Sequence, residues 1–449
     1  MSATTASPKL SRREILAQWN PENEQFWNQY GKKIANQNLI VSTIALTISF
    51  CVWTLWSTIA VKLNAIGFHF TDEQLFTLAA MPGLVGATGR LLYTYMPGIL
   101  GGRNWTFIAT ALLLIPLWGL AQALQDPTTS YETFFVYVLL LGIAGANFSS
   151  SMANIGHFFP RSKRGTALGI NAGIGNLGVS IIFLMAPIVM GMTIFAPLVG
   201  TPQTLNDGTI IFLQNTCYVG IIQILITLGL IAKYMDNLPL PKQSPASMMS
   251  IFTNKHTWLM TWIYTCGFGS FIGFSVALSL LVNKEFPEIP FAYGAFLGPF
   301  IGAGIRPVGG WLSDKINSGT KITMLSLIGM FIAAIFIMFG ITTHSFIIFF
   351  AAFLFLFFMT GFETGASFRM IPYIFTDGMQ SSLVTGFTAA MGAYGAFFIP
   401  KIFGWSYTTY QTVMPAFYII LAFIAVTIVI TYWFYARKGS GMKLSLIHI

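Results

Sequence analysis

Charge is what this chain has least of. Lys, Arg, Asp and Glu together make up 8% of its 449 residues, against 55% hydrophobic. A soluble globular surface draws on about a quarter charged residues, so a water-exposed domain of ordinary type is excluded. Cysteine is sparse as well. Cys51, Cys217 and Cys266 all fall in apolar runs without metal-ligand spacing, which excludes a disulfide framework and a thiolate metal centre. The five histidines lie at helix ends, in loops or in the tail, so haem-type pairs are missing. With no nucleophile beside a base, no ligand set and no sizeable soluble domain, neither an enzyme nor a bound cofactor or metal is expected. A cleavable signal peptide is lacking too. The first 37 residues are polar and carry Pro21, Glu22 and Glu24, so the first apolar run reads as an uncleaved spanning helix.

What is present is long apolar runs. Mean hydropathy is +0.70, and runs of about 20 residues match helical spans, whereas barrel strands would be about 10 residues with alternating polarity. Twelve are expected, over 38–62, 74–98, 103–124, 132–157, 165–191, 212–235, 257–282, 291–313, 320–341, 345–369, 382–405 and 412–436. The fold class is therefore an all-α membrane protein. The net charge of +9 might suggest nucleic acid, but its distribution reads as topology. With the N-terminus placed inside, 18 of the 23 Lys and Arg fall on one side, and only Lys62, Lys284 and Lys401 on the other. This bias places both termini in the cytoplasm. The final stretch GSGMKLSLIHI does not resemble natural membrane-protein sequence and is set aside as a cloning remnant.

Residues 236–256 are the longest polar interruption and divide six helices from six. The expected organisation is an N-terminal segment 1–37, a half over 38–235, a cytoplasmic linker 236–256, a second half over 257–436 and a tail over 437–449. The halves echo one another at an offset of 216 residues: Arg90 matches Arg306, Gly145 matches Gly361, and Asn147 matches Glu363. One residue further out of step, GINAGIGNLG (169–178) matches GFTAAMGAYG (386–395). Together these support an internal duplication. Twelve helices in two pseudo-symmetric halves, with cytoplasmic termini and a central linker, resemble the major facilitator superfamily. So does GGWLSDKINSGTK (309–321), similar to that superfamily's loop motif, with Asp314 beside Lys315 and Lys321. An acid beside bases can form a lock that breaks as the halves rock.

Arg90 and Arg306 stand inside hydrophobic stretches, where a guanidinium costs several kcal/mol to bury, about 3 on insertion scales. A chain that accepts this twice, symmetrically, points to an anion held between them. Snorkelling to the interface is the alternative for either one alone. In the fifth run, Gly165, Gly169 and Gly173 stand four apart on one face, widened by Gly175 and Gly178; Gly392 and Gly395 repeat the pattern in the eleventh. Such stripes let backbones pack closely, and packing accounts for most of them. Asn171 and Asn176 differ, because an amide in an apolar helix needs a partner and can donate to an oxyanion. Thr388 and Ala393 stand at the matching places in the other half, so an asymmetric site is expected. Glu363 is the one acid placed inside a span. It is either a proton-coupling site or the counter-ion of Arg306 or Arg369.

GINAGIGNLG, GAYGAFFIPKIFG (392–404), GANFSSSMANI (145–155), GSFIGFS (269–275), WNPENEQFW (19–27) and the paired arginines resemble the bacterial NarK-type nitrate/nitrite porters, from about residue 19 to 436. The resemblance implies a bacterial inner-membrane carrier, a monomer in the bilayer, serving nitrate assimilation or respiration. It further implies that Arg90 and Arg306 clamp the anion, that Phe148 and Phe268 sandwich it, and that Tyr264 and Asn176 add hydrogen bonds. The arginines suit planar nitrate and nitrite physically, because a guanidinium fork engages two oxygens at once where lysine offers a point charge. Two like charges in a low-dielectric cavity repel, so an empty carrier should resist closing; this favours nitrate/nitrite exchange. Glu363 departs from the small or polar residue of the family pattern and leaves nitrate–proton symport open. A sugar or drug–proton symporter shares the topology, and a nitrate sensor would need an output domain that the short tails do not supply.

Overall fold

Backbone polar groups inside a bilayer must be satisfied within the segment, and the apolar runs of this chain are accordingly helical. The computed structural model describes residues 10–193, 200–239, 249–376 and 378–437. Most of the expected linker (240–248) and almost all of the tail (438–449) lie outside the described residues. The spanning helices are α1 (Glu24–Ala60), α2 (Asp72–Tyr93), α3 (Gly102–Ala123), α4 (Tyr131–Phe158), α5 (Arg161–Met190), α6 (Gln214–Tyr234), α7 (Lys255–Glu285), α8 (Leu297–Lys315), α9 (Gly319–Thr342), α10 (Phe346–Ile374), α11 (Gln380–Tyr410) and α12 (Met414–Ala436). Eleven are long and apolar enough to cross a membrane. The exception is α8, which carries Arg306, two prolines and five glycines in 19 residues.

Two boundaries differ from expectation for identifiable reasons. Pro290 is followed by a separate 3-10 turn, Phe291–Tyr293, so α8 begins at Leu297 and not near 291. At the other end of the chain, helix starts well inside the segment expected to be merely polar. A capping box between Ser11 and Glu14 opens a short helix, Arg12–Ala17. α1 then runs from Glu24 through a π-turn at Trp27–Gly31, with Trp27 buried against Phe159 at 5.7 Å. Arg12 donates to both Asp236 oxygens at 2.8 and 2.7 Å, and Asn38 donates to Asp236 at 2.7 Å. These hydrogen bonds hold the Arg12 guanidinium above its ordinary range. The N-terminal segment is thereby tied to the ends of α1 and α6.

The helices α1–α6 and α7–α12 meet most closely on the side away from the termini. Lys284 pairs with Asp72 at 2.6 Å, Lys401 donates to Thr77 at 2.9 Å, and Asn283 donates to the Val61 carbonyl at 3.2 Å. Phe76 stacks on Tyr407 with centroids 5.7 Å apart. Gly83 lets α2 approach α11 so closely that a Cβ there would stand 2.5 Å from the Ala396 backbone. Ser180 of α5 donates to the Phe296 carbonyl at 2.9 Å. On the terminal side, Gly165 and Gly169 of α5, Gly304 of α8 and Gly386 of α11 face open space. On that side Leu91 and Tyr95 of the first half pack against the cluster of Leu383, Val384 and Phe387 in the second.

The expected glycine stripe splits. Gly175 packs on Leu46, and a Cβ at Gly178 would stand 2.2 Å from the Thr47 carbonyl. Among the described residues no atom stands within 4 Å of a Cβ position at Gly165, Gly169 or Gly173, which share the exposed face of α5 with Ile170 and Ile174.

Candidate functional site

Both arginines are held inward. Arg90, on the last turns of α2, is fully buried; its Nε donates to the Gly145 carbonyl of α4 at 3.0 Å and its Nη1 to the Ala389 carbonyl of α11 at 2.7 Å. One guanidinium thus ties the two halves together, and neither snorkels. The closeness at Gly145 requires glycine, since a Cβ there would stand 2.4 Å from the Trp53 ring. Nη2 of Arg90 is buried without a partner, and so are Nε and Nη2 of Arg306. On a guanidinium, Nε and Nη2 form one edge, the edge that engages two oxygens together.

Aromatic rings carry these groups. The Arg90 Cζ lies 4.6 Å from the Phe148 centroid, 5.4 Å from Trp53 and 5.5 Å from Phe268. The Arg306 Cζ lies 4.5 Å from Phe271 and 5.0 Å from the same Phe268. Both guanidiniums therefore contact the same ring, Phe268, and their carbons can be no further apart than those two Phe268 distances combined. Each contact contributes about 1–2 kcal/mol in a desolvated setting. Phe268 owes its position to a π-turn in α7, Thr265–Gly269. Such one-turn widenings concentrate at functional sites. Gly392, at the break within α11, leaves room for Tyr264 and Phe268, while Gly395 meets Gly269 so closely that a Cβ would stand 2.2 Å from its Cα. Tyr264 stacks on Phe268 at 5.5 Å and face to face on Phe368 at 4.3 Å.

The asparagines and acids stand differently from one another. Asn171 is committed within its own half, accepting from Thr43 at 3.1 Å and donating to Ser151 at 2.8 Å. Its polar atoms are spent on joining α1, α4 and α5. Asn176 donates one amide hydrogen to Ala172 of its own helix at 2.6 Å, leaving a buried amide oxygen unpartnered and the second hydrogen of its NH2 as a donor. Asp314 pairs with Arg369 of α10, not with Lys315 or Lys321. That pairing removes Arg369 as a counter-ion for Glu363. Glu363 itself is fully buried with neither carboxyl oxygen partnered, and no ion pair joins it to Arg306 among the described residues.

Sequence reasoning did not reach Trp53, Phe271 or the two carbonyls of Gly145 and Ala389. Phe271 lay in the glycine-rich GSFIGFS stretch, three residues from Phe268, and that helical spacing was the available signal.

Two six-helix halves around a buried, ring-lined pair of guanidiniums are the architecture of a membrane carrier. A family model described as Major Facilitator Superfamily matches residues 40–400. The chain is 40% identical to the nitrate/nitrite transporter NarU of Escherichia coli, covering 96% of this chain and 98% of that one. It is 36% identical to the probable nitrate/nitrite antiporter NarK2 of Thermus thermophilus, covering 96% and 99%. Among solved structures, the fold is similar to a D-xylose–proton symporter with a TM-score of 0.65 at 16% identity, covering 91% of this chain and 99% of that one. The chain belongs to the Major Facilitator Superfamily and, within it, to the NarK-type porters.

Proposed function

We propose that this protein carries nitrate and nitrite across a bacterial inner membrane by exchange, with Arg90 and Arg306 clamping the anion between the halves. The observation that carries the proposal is the set of three buried, unpartnered guanidinium nitrogens around Phe268. Buried donors left without partners are costly, and a small planar oxyanion satisfies them. Phe148, Phe268 and Tyr264 form the walls of the slot. The names of the relatives, among them a nitrate/nitrite transporter and a probable nitrate/nitrite antiporter, support the choice of substrates.

Exchange follows from the charges. Two guanidiniums a few ångströms from one shared ring repel by on the order of 2 kcal/mol at an effective dielectric near 20. A bound monovalent anion offsets that repulsion and lets the halves rock. In this reading the termini lie in the cytoplasm, the structure is the inward-facing state, and the open face of Gly165, Gly169 and Gly173 is where the halves meet in the outward-facing one. Labelled nitrate uptake into proteoliposomes tests the proposal. With no proton gradient across the vesicle, uptake should require nitrite or nitrate inside. Equal uptake of an uncharged sugar, or indifference to replacing both arginines, would sink it.

A further inference from the structure

Glu363 plays no part in the anion clamp, yet it is the least explained group in the membrane. It occupies the position on α10 that Asn147 occupies on α4, at the same offset that relates the two arginines. Asn147 has a partner, donating to Ser49 of α1 at 2.9 Å. Glu363 has no such tie to another helix among the described residues: both oxygens are buried, Ser367 of its own helix is the hydroxyl beside them, and one oxygen is pressed against Gly267, where a Cβ would stand 1.5 Å from it. Gly267 lies in the π-turn of α7 immediately before Phe268. The carboxyl therefore sits against the backbone one residue before the ring that both arginines contact. The titratable and charged groups electrostatically within reach are Arg306 from α8, and Tyr264 and Cys266 from α7. The stretch Gly378–Gly392, which forms the first part of α11, contributes none.

We propose that Glu363 is a proton-binding site that sets the charge of the anion cavity and gives this carrier a proton-linked mode beside exchange; the proposal rests on the clamp described above. The charge balance is simple. With Glu363 ionised and no anion bound, the two arginines and one carboxylate carry a net charge of +1. With one nitrate bound and Glu363 protonated, the net charge is again +1. Both forms can reorient on equal terms, so one nitrate and one proton cross together and the empty carrier returns. Nothing is oxidised or reduced, and the proton is taken from water on one side and released to water on the other. Exchange of nitrate for nitrite leaves the proton in place and needs no return of the empty form. A neutral amide at this position would hold the empty cavity at +2 and permit exchange alone.

The test uses the full chain in proteoliposomes with two assays on the same preparation. Nitrite-loaded vesicles measure exchange; empty vesicles given an inward proton gradient measure net nitrate uptake, with a trapped pH dye reporting proton entry. The wild type should show both, with about one proton entering per nitrate. Glu363→Gln should keep exchange within twofold and lose net uptake by at least tenfold. Proton-driven uptake that survives in Glu363→Gln overturns the proposal. So does a wild type that exchanges but admits neither net nitrate nor protons, a result that needs no variant to fold. Loss of exchange in the wild type would instead refute the clamp.

Discussion

Replacing Arg306 with lysine isolates the fork from the charge. Arg306 presents an unpartnered Nε/Nη2 edge and no hydrogen bond from either atom to the protein, so the substitution breaks no structural tie of that edge. Lysine retains the positive charge and can rest on Phe268 and Phe271, as the Arg306 Cζ does at 5.0 and 4.5 Å. Its donors all sit on one nitrogen, where the guanidinium edge offers two nitrogens in register. Losing one charge-assisted hydrogen bond costs about 1.5–3 kcal/mol, which corresponds to roughly 10- to 150-fold weaker binding. Calorimetric titration of the purified protein with nitrate, alongside KM for exchange, gives the number directly. Nitrate affinity within threefold of wild type would refute the bidentate reading and leave Arg306 a generic positive charge. If geometry were irrelevant, Arg306→Lys would bind nitrate like wild type and only Arg306→Gln would lose affinity, so the two variants should be measured together.

Arg90→Lys should behave differently, because Arg90 also bonds Gly145 and Ala389 across the halves; lower thermal stability should accompany the weaker binding, measured by Tm with and without nitrate. Gly169→Val should leave nitrate binding in this conformation nearly unchanged, since nothing lies within 4 Å, yet abolish exchange by blocking the opposite closure; full transport by this variant would contradict the rocking of α5. Gly395→Ala forces a Cβ to 2.2 Å from Gly269 and should cost about 1–3 kcal/mol or more, read as lost expression or a lowered Tm. Lys284→Gln breaks a half-exposed pair worth about 0–1 kcal/mol, so transport should change less than fivefold.

Much of the site was legible because burying a guanidinium is expensive enough to mark the sequence. Arg90, Arg306 and the Asn147/Glu363 correspondence needed only the apolar runs and a fixed offset. The rings Phe148, Phe268 and Tyr264 came from resemblance, since an aromatic in a spanning helix carries no signal of its own. What sequence could not show depends on the third dimension. The π-turn at Thr265–Gly269 has no compositional mark, and it carries the ring that both arginines contact. Arg90 bonds main-chain carbonyls, which every residue possesses, so Ala389 was invisible. Asn171 and Asn176 look alike on paper, but only the surrounding helices determine that one is fully partnered and the other keeps a free oxygen. Gly165 and Gly178 likewise share one helix and differ only in what faces them.

The low apolarity of α8 has a consequence for how the protein is made. A segment with Arg306, Pro299, Pro307 and five glycines is a poor candidate for entering lipid on its own, the arginine alone costing about 2.5–3.5 kcal/mol at a helix centre on insertion scales. Its glycines and those of α10 fit one another: Cβ atoms at Gly361 and Gly365 would stand 2.0 and 2.2 Å from the Gly302 and Arg306 carbonyls, and one at Gly309 would stand 2.4 Å from the Phe362 carbonyl. α8 is therefore expected to leave the translocation channel in company, retained until α9 and α10 have been synthesised and can receive it. Ribosome-tethered chains ending after α8 should leave it exposed to the aqueous side, and chains extended through α10 should bury it. The residue proposed to hold the anion is thus also the one that makes its own helix dependent on a neighbour made later.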